Sequence, residues 1–214
     1  MSREFGNEIS KSRIETLTDG VFAIVMTLLV LEIAVPQLTH SEATAVELLR
    51  QLLELWPVIL SYTISFIILG FFWINHHDQF HYIKKANHVF VWITIFYLMF
   101  IAFIPFSTAL LGEYTDQQIS VVIYGINITV AGIWARVQWW YAAKDHRLID
   151  PDLDPIFIKI MSRRGTIGIV IYLIAAAISF VSITASLVLF IAIPIYYLVP
   201  ARRDKPWLWF TRNK

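Results

Sequence analysis

His77 and His81 stand four residues apart, the spacing at which two imidazoles can share a zinc ion on one face of a helix. The Glu that would turn this pair into a metalloprotease motif is missing, so adventitious Zn2+ at His77 and His81 is as far as the spacing goes. The stretch from Asn75 to His88 reads as an interfacial loop whose histidines hydrogen-bond or titrate. No glycine-rich phosphate loop, Ser-His-Asp arrangement or basic nucleic-acid patch is present. The chain has no cysteine, which excludes disulfides, thiol chemistry and thiolate metal sites. These residues point to no enzyme, no resident cofactor and no nucleic-acid partner.

The more telling residue is Asp19. It lies at the head of a hydrophobic run in which only Thr27 interrupts the apolar residues from Val21 to Leu31. A carboxylate at mid-membrane costs about 2.5–3.5 kcal/mol on insertion scales, so it requires a partner. Arg13 lies about a turn and a half before it. The end of the next apolar segment brings Trp73, Asn75, His76 and His77 to the same side of the membrane. An Arg13–Asp19 cluster completed by one of these four residues is the physical expectation, with the choice among them open.

Helical geometry divides the same segment into faces. At about 100° per residue, Ile24, Leu28, Leu31 and Val35 form a stripe about 60° wide, continued by Leu17 and Gly20. Thr27 borders the stripe and Asp19 points to nearly the opposite side. A helix of this kind either packs into a core or lines something.

The elements that position these residues follow from composition. Hydrophobic residues make up 57% of the chain and charged residues 15%, against about 25% charged in soluble domains. Several apolar runs are long enough to span a bilayer, which makes this an all-α, polytopic membrane protein in contact with membrane lipids. No cleavable signal peptide is evident, so the first helix is expected to be retained. Spans are predicted at about 14–35, 48–74, 89–111 and 119–141. Pro57 falls in the first turn or a kink of the second, and Pro105 kinks the third.

A charged connector and an amphipathic segment, 156–164, lead to a final apolar block from Thr166 to Val199. That block is too long for one ordinary span and is basic at both ends, with Arg163 and Arg164 before it and Arg202, Arg203 and Lys205 after it. It therefore folds as a hairpin turning near 182–186, giving spans at about 165–182 and 185–200. Six spans place both termini on the cytoplasmic side. All but Arg50 and Arg136 of the 17 Lys and Arg residues then lie on that side or in its loops, as the positive-inside rule requires. Trp207 and Trp209, beside Arg202, Arg203 and Lys205, suit anionic headgroups at the interface.

The run Arg13-x-x-x-Leu17-Thr18-Asp19, followed by Gly-Val-Phe-Ala-Ile and Thr-Leu-Leu-Val-Leu-Glu-Ile, resembles the first helix of bacterial potassium channels of the transmembrane-protein-175 family. The family signature reads Arg-x-x-x-Phe-Ser-Asp; here Leu17 and Thr18 replace Phe and Ser. The resemblance extends to a six-span chain of this length and implies a homotetramer whose first helices line a central pore, with monovalent cations as the permeating species. It implies that Ile24, Leu28 and Leu31 form the constriction, that Thr27 beside them supports selectivity, and that Arg13, Thr18 and Asp19 brace the helix. Trp73, Asn75 and His77 are the corresponding candidates on the second span. Glu32, near the outer end, is placed to concentrate cations at a pore mouth.

The implied function is potassium-favouring conduction in the inner membrane of a bacterium. The alternative is a secondary transporter, or a proton leak pathway, built on the same helices. A transporter is disfavoured by the absence of an internal repeat and by the scarcity of mid-membrane charges.

Overall fold

The computed structural model describes residues 10–38 and 44–198. The segment from Arg202 to Trp209, residue Glu42 of the first connection and the last residues of the final span lie outside the described residues.

The chain is all-α. Helix α1, Lys11–Leu28, runs directly into a 3₁₀ turn, Leu29–Glu32. A short helix α2, Ala45–Glu54, precedes α3, Trp56–Tyr82. Helices α4, His88–Ala102, and α5, Ile104–Glu113, form one bent rod, followed by α6, Gln118–Ala143. The last two are α7, Pro155–Ile178, and α8, Ile183–Leu198. Among the described residues, five segments are long and apolar enough to cross a membrane: α1 with its 3₁₀ turn, α3, α4–α5, α6 with its C-terminal turn, and α7. Residues 183–192 of α8 form a shorter apolar helix.

Several predicted boundaries move, each for a local reason. The second span does not begin at 48. Residues 45–54 form a separate amphipathic helix, capped by the Thr44 side chain accepting from the Glu47 amide at 3.2 Å, and α3 starts at Trp56 with Pro57 in its first turn. The predicted loop 75–88 is helical through Tyr82, because His76, Gln79 and Phe80 are buried and reward continuation of the helix. Beyond it, Ile83 pairs with Ile149 in an isolated antiparallel bridge, and the Lys84 amide donates to the Leu148 carbonyl at 2.8 Å.

Pro105 does bend the third span. The helix breaks at Phe103 because the proline has no N–H for the carbonyl four residues back, and its ring crowds that carbonyl. The segment 156–164 is the first part of α7 rather than a separate surface helix, so Arg163 and Arg164 lie within the helix. The hairpin turns at 179–182, slightly earlier than predicted. There the buried Ser186 hydroxyl donates to the Ala175 carbonyl at 2.6 Å.

Packing is apolar with polar staples. One cluster joins Phe22, Val25 and Leu29 of α1 to Leu69, Tyr97, Ile101 and Ile104. A second joins Ile64 and Ile68 of α3 to Tyr124, Ile128, Ala175 and Phe190. Between the helices, Ser65 Oγ lies 2.9 Å from the Tyr124 hydroxyl and 2.8 Å from Thr108 Oγ1. Asn127 Nδ2 donates to Ser107 Oγ at 3.1 Å, and Gln138 Nε2 donates to Thr94 Oγ1 at 2.7 Å. With lipid outside there is little hydrophobic drive between helices, so close packing and such hydrogen bonds carry much of the specificity.

Candidate functional site: the outer face of the first helix

Helix α1 is docked by one face only. Ile14, Thr18, Phe22, Val25 and Leu29 recur at three- and four-residue spacing and are buried. Their side chains pack toward α3, α4 and α5. The stripe isolated by periodicity faces the other way. Ile24 is 60% exposed, Leu28 42%, Leu31 73% and Val35 76%. Gly20 meets nothing within 4 Å of the place a Cβ would occupy, so none of the described residues covers that point.

Thr27 lies on this open face. Its hydroxyl is within 3.0 Å of the Ala23 carbonyl and 2.8 Å of the Ile24 carbonyl, four and three residues back. The hydrogen is committed to the helix backbone, which leaves oxygen lone pairs pointing outward. Such an oxygen can accept from water or face a cation. Glu32 is exposed in the 3₁₀ turn beyond Leu31.

At the other end of α1, Asp19 Oδ1 accepts a hydrogen bond from Trp73 Nε1 at 2.9 Å. The Trp73 ring stacks on His77, with centroids 5.8 Å apart and planes 26° from parallel. Of the four candidates on the second span, Trp73 therefore takes the carboxylate and His77 supports Trp73. His76 turns inward, stacked on Phe80 at 4.1 Å and facing Tyr97 at 6.0 Å. Asn75 faces away, into a cavity between α3, α6 and α7.

Arg13 does not join this cluster: no Arg13–Asp19 ion pair forms among the described residues. A spacing of six residues puts the two side chains about 120° apart around the helix and about 9 Å apart along it. The ion pair at this end is Lys11–Glu15, at 3.5 Å and one turn apart. Thr18 is fully buried on the docked face, and its Oγ1 has no hydrogen-bond partner among the described residues. His77 and His81 sit one turn apart on α3, both exposed, with His81 edge-on to Tyr82.

Sequence reasoning named His76 as a candidate partner of Asp19 but missed its burial. Among the described residues it is the only histidine in the buried core, and its Nε2 has no hydrogen-bond partner there. The signal was its place in the apolar period of α3: Leu69, Phe72, His76 and Phe80 follow one another at three- and four-residue steps.

Residues 13–105 match the family described as endosomal/lysosomal potassium channel TMEM175. A protein of Chamaesiphon minutus named a potassium channel is 37% identical, over 86% of this chain and 92% of its own length. One from Streptomyces collinus, also named a potassium channel, is 29% identical over 86% of this chain and 90% of its own. The crystal structure of a lysosomal potassium-selective channel TMEM175 homolog from Chamaesiphon minutus superposes with a TM-score of 0.78 at 34% identity. That superposition covers 88% of this chain and 96% of the other. With likeness in sequence and fold over nearly its whole length, the chain belongs to the TMEM175 family, an ion-channel family and not one of enzymes.

Proposed function

We propose that this chain is one subunit of a homotetrameric, potassium-favouring cation channel. It crosses the plasma membrane of a bacterium six times, with both termini cytoplasmic. The observation that carries the reading is the uncovered stripe on α1: three large apolar side chains at regular spacing, with the opposite face of the same helix docked. Four such stripes around an axis make stacked apolar rings, and a narrow apolar ring resists ions by excluding water. Ile24, Leu28 and Leu31 are the constriction. Thr27 presents oxygen beside it, and Glu32 adds negative charge at the outer mouth. The Asp19–Trp73 hydrogen bond fixes the inner half of the helix against α3. The names of the Chamaesiphon and Streptomyces relatives support potassium as the permeating ion.

The test is the reversal potential of the purified protein in planar bilayers, first with a potassium gradient and then with sodium opposite potassium. Reversal near the potassium equilibrium value is expected, and Leu28→Ala should raise the current by thinning one ring. Absence of current above empty bilayers, from folded tetramers, would remove conduction and favour a transporter. Current through a dimer would remove the four-stripe geometry.

A further inference from the structure

Away from the first helix, a cavity of about 230 Å³ lies between α3, α6 and α7, toward the end where α3 and α6 finish. Its inner wall is apolar, built by Ile68, Phe72, Ile169 and Tyr172. One glycine leaves room in it: a Cβ on Gly168 would meet nothing within 4 Å, whereas a Cβ on Gly132 or Gly165 would meet Ile169 at 3.1 Å or Arg136 at 3.5 Å, so those two let α6 and α7 pack closely. Its outer end is polar and carries both signs of charge, with Asp78 on α3, Arg136 on α6 and Arg164 on α7.

Water satisfies polar atoms but has nothing to bond along an apolar inner wall. An amphiphile matches both ends, and this cavity lies among helices that cross a membrane. We propose that the cavity binds one phospholipid with a primary-ammonium headgroup, of the phosphatidylethanolamine class. An acyl chain lies past Gly168, along Ile68, Phe72 and Ile169. The phosphate accepts from Arg136, and the ammonium donates to the Asp78 carboxylate.

Asp78 is the group that selects this headgroup. A purely anionic lipid leaves Asp78 facing negative charge, and a quaternary ammonium has no N–H to give that carboxylate. Basic pockets between transmembrane helices are a recognised place for a lipid phosphate to bind. The inference is independent of whether the chain conducts.

The test is native mass spectrometry on the delipidated full-length protein, titrated with phosphatidylethanolamine, phosphatidylglycerol, phosphatidylcholine and water-soluble phosphoethanolamine. One phosphatidylethanolamine per chain is expected, bound about tenfold more tightly than the other two lipids. Asp78→Asn should erase that preference while leaving some binding of all three lipids. Gly168→Leu should block the acyl-chain track and reduce every lipid. Gly168→Ala, which adds one methyl group to open space, covers the case in which the larger substitution fails to fold, and should weaken binding less. Arg50→Gln, on α2, should change nothing. Equal binding of the three lipids with no effect of Asp78→Asn or Gly168→Leu would reduce the site to ordinary annular lipid and overturn the proposal. Retention of no lipid would assign the cavity to water. Phosphoethanolamine competing as well as the intact lipid would make it a soluble-headgroup site and also overturn it.

Discussion

Helices α1 and α6 are both long, apolar and flanked by other helices, yet they are held in opposite ways. Half of the α6 span is buried, against 28% of the α1 span. Helix α6 is tied to α3, α4 and α5 by hydrogen bonds from Tyr124, Asn127 and Gln138. Helix α1 has a single side-chain hydrogen bond to another helix among the described residues, Asp19 to Trp73, and otherwise rests on the apolar contacts of one face. One is a central post and the other a docked stave. A protein that must keep a rigid frame while presenting one helix to lipid or to further copies of itself needs both kinds.

The sharpest way to break the frame is at Gly125 on α6. A Cβ there would lie 2.6 Å from the Cβ of Ala176 and 3.0 Å from the Phe190 ring, so α6 and the α7–α8 hairpin touch at this point. Gly125→Leu is expected to cost about 3 kcal/mol or more by overpacking, seen as loss of folded protein in a thermal-melt or detergent-stability assay. Melting unchanged within error would contradict the close approach.

Thr94→Val removes the acceptor for Gln138 in the buried frame and should cost about 1–2 kcal/mol. The double variant Thr94→Val with Gln138→Leu should recover part of that loss, because neither buried partner is then left open. A double variant no better than the single would show that the hydrogen bond is not what couples α4 to α6.

Trp73→Phe tests the stave. It deletes the donor to Asp19 but keeps an aromatic ring over His77, so about 1 kcal/mol or less is expected at this exposed site. The effect should concentrate in α1, as faster hydrogen exchange of residues 14–22 with little change in α6. Equal acceleration in both helices would erase the distinction between them.

The smallest effect belongs to α2. Hydrogen bonding to Arg50 holds the Glu47 carboxyl below its ordinary value of 4.5, and Arg50 also pairs with Glu54. Because the folded-state value is depressed, the stabilisation is complete above the ordinary value. It is lost as pH falls through the depressed one. Fraying of residues 45–54 on acidification from pH 6 to pH 3, measured by hydrogen exchange corrected for intrinsic rates, is the expected outcome. No change would mean that the Thr44 cap alone holds the helix.

What was legible in the sequence was periodic or covalent. The stripe of Ile24, Leu28 and Leu31 could be read because α1 buries one face and leaves the other open, so its apolar period survives. The bend at Pro105 could be read because the proline's missing N–H acts in any surroundings. The helical state of 75–82 could not, since its polar residues resemble a loop until Gln79, Phe80 and His76 are seen buried. Helix α2 was hidden for the opposite reason: its leucines merge with the following apolar run when hydropathy is averaged, and only its Thr44 cap marks a separate start. The partner of Asp19 was beyond reach because four residues near the end of α3 were equally close in sequence. Only the packed rotation of that helix turns Trp73 toward α1 and Asn75 away.

The 3₁₀ turn that ends α1 changes both its reach and its alignment. The α-helical part rises about 27 Å over its 18 residues, and the four residues of the tighter coil add about 8 Å where an α-helix would add about 6 Å. A short segment thereby extends to about 35 Å, enough to match a hydrocarbon layer about 30 Å thick. The tighter coil also repeats every three residues, so Leu31 sits almost directly above Leu28 instead of drifting by the usual 60°. Two leucines that an ordinary helix would fan apart stand in one column, about 6 Å from one to the next.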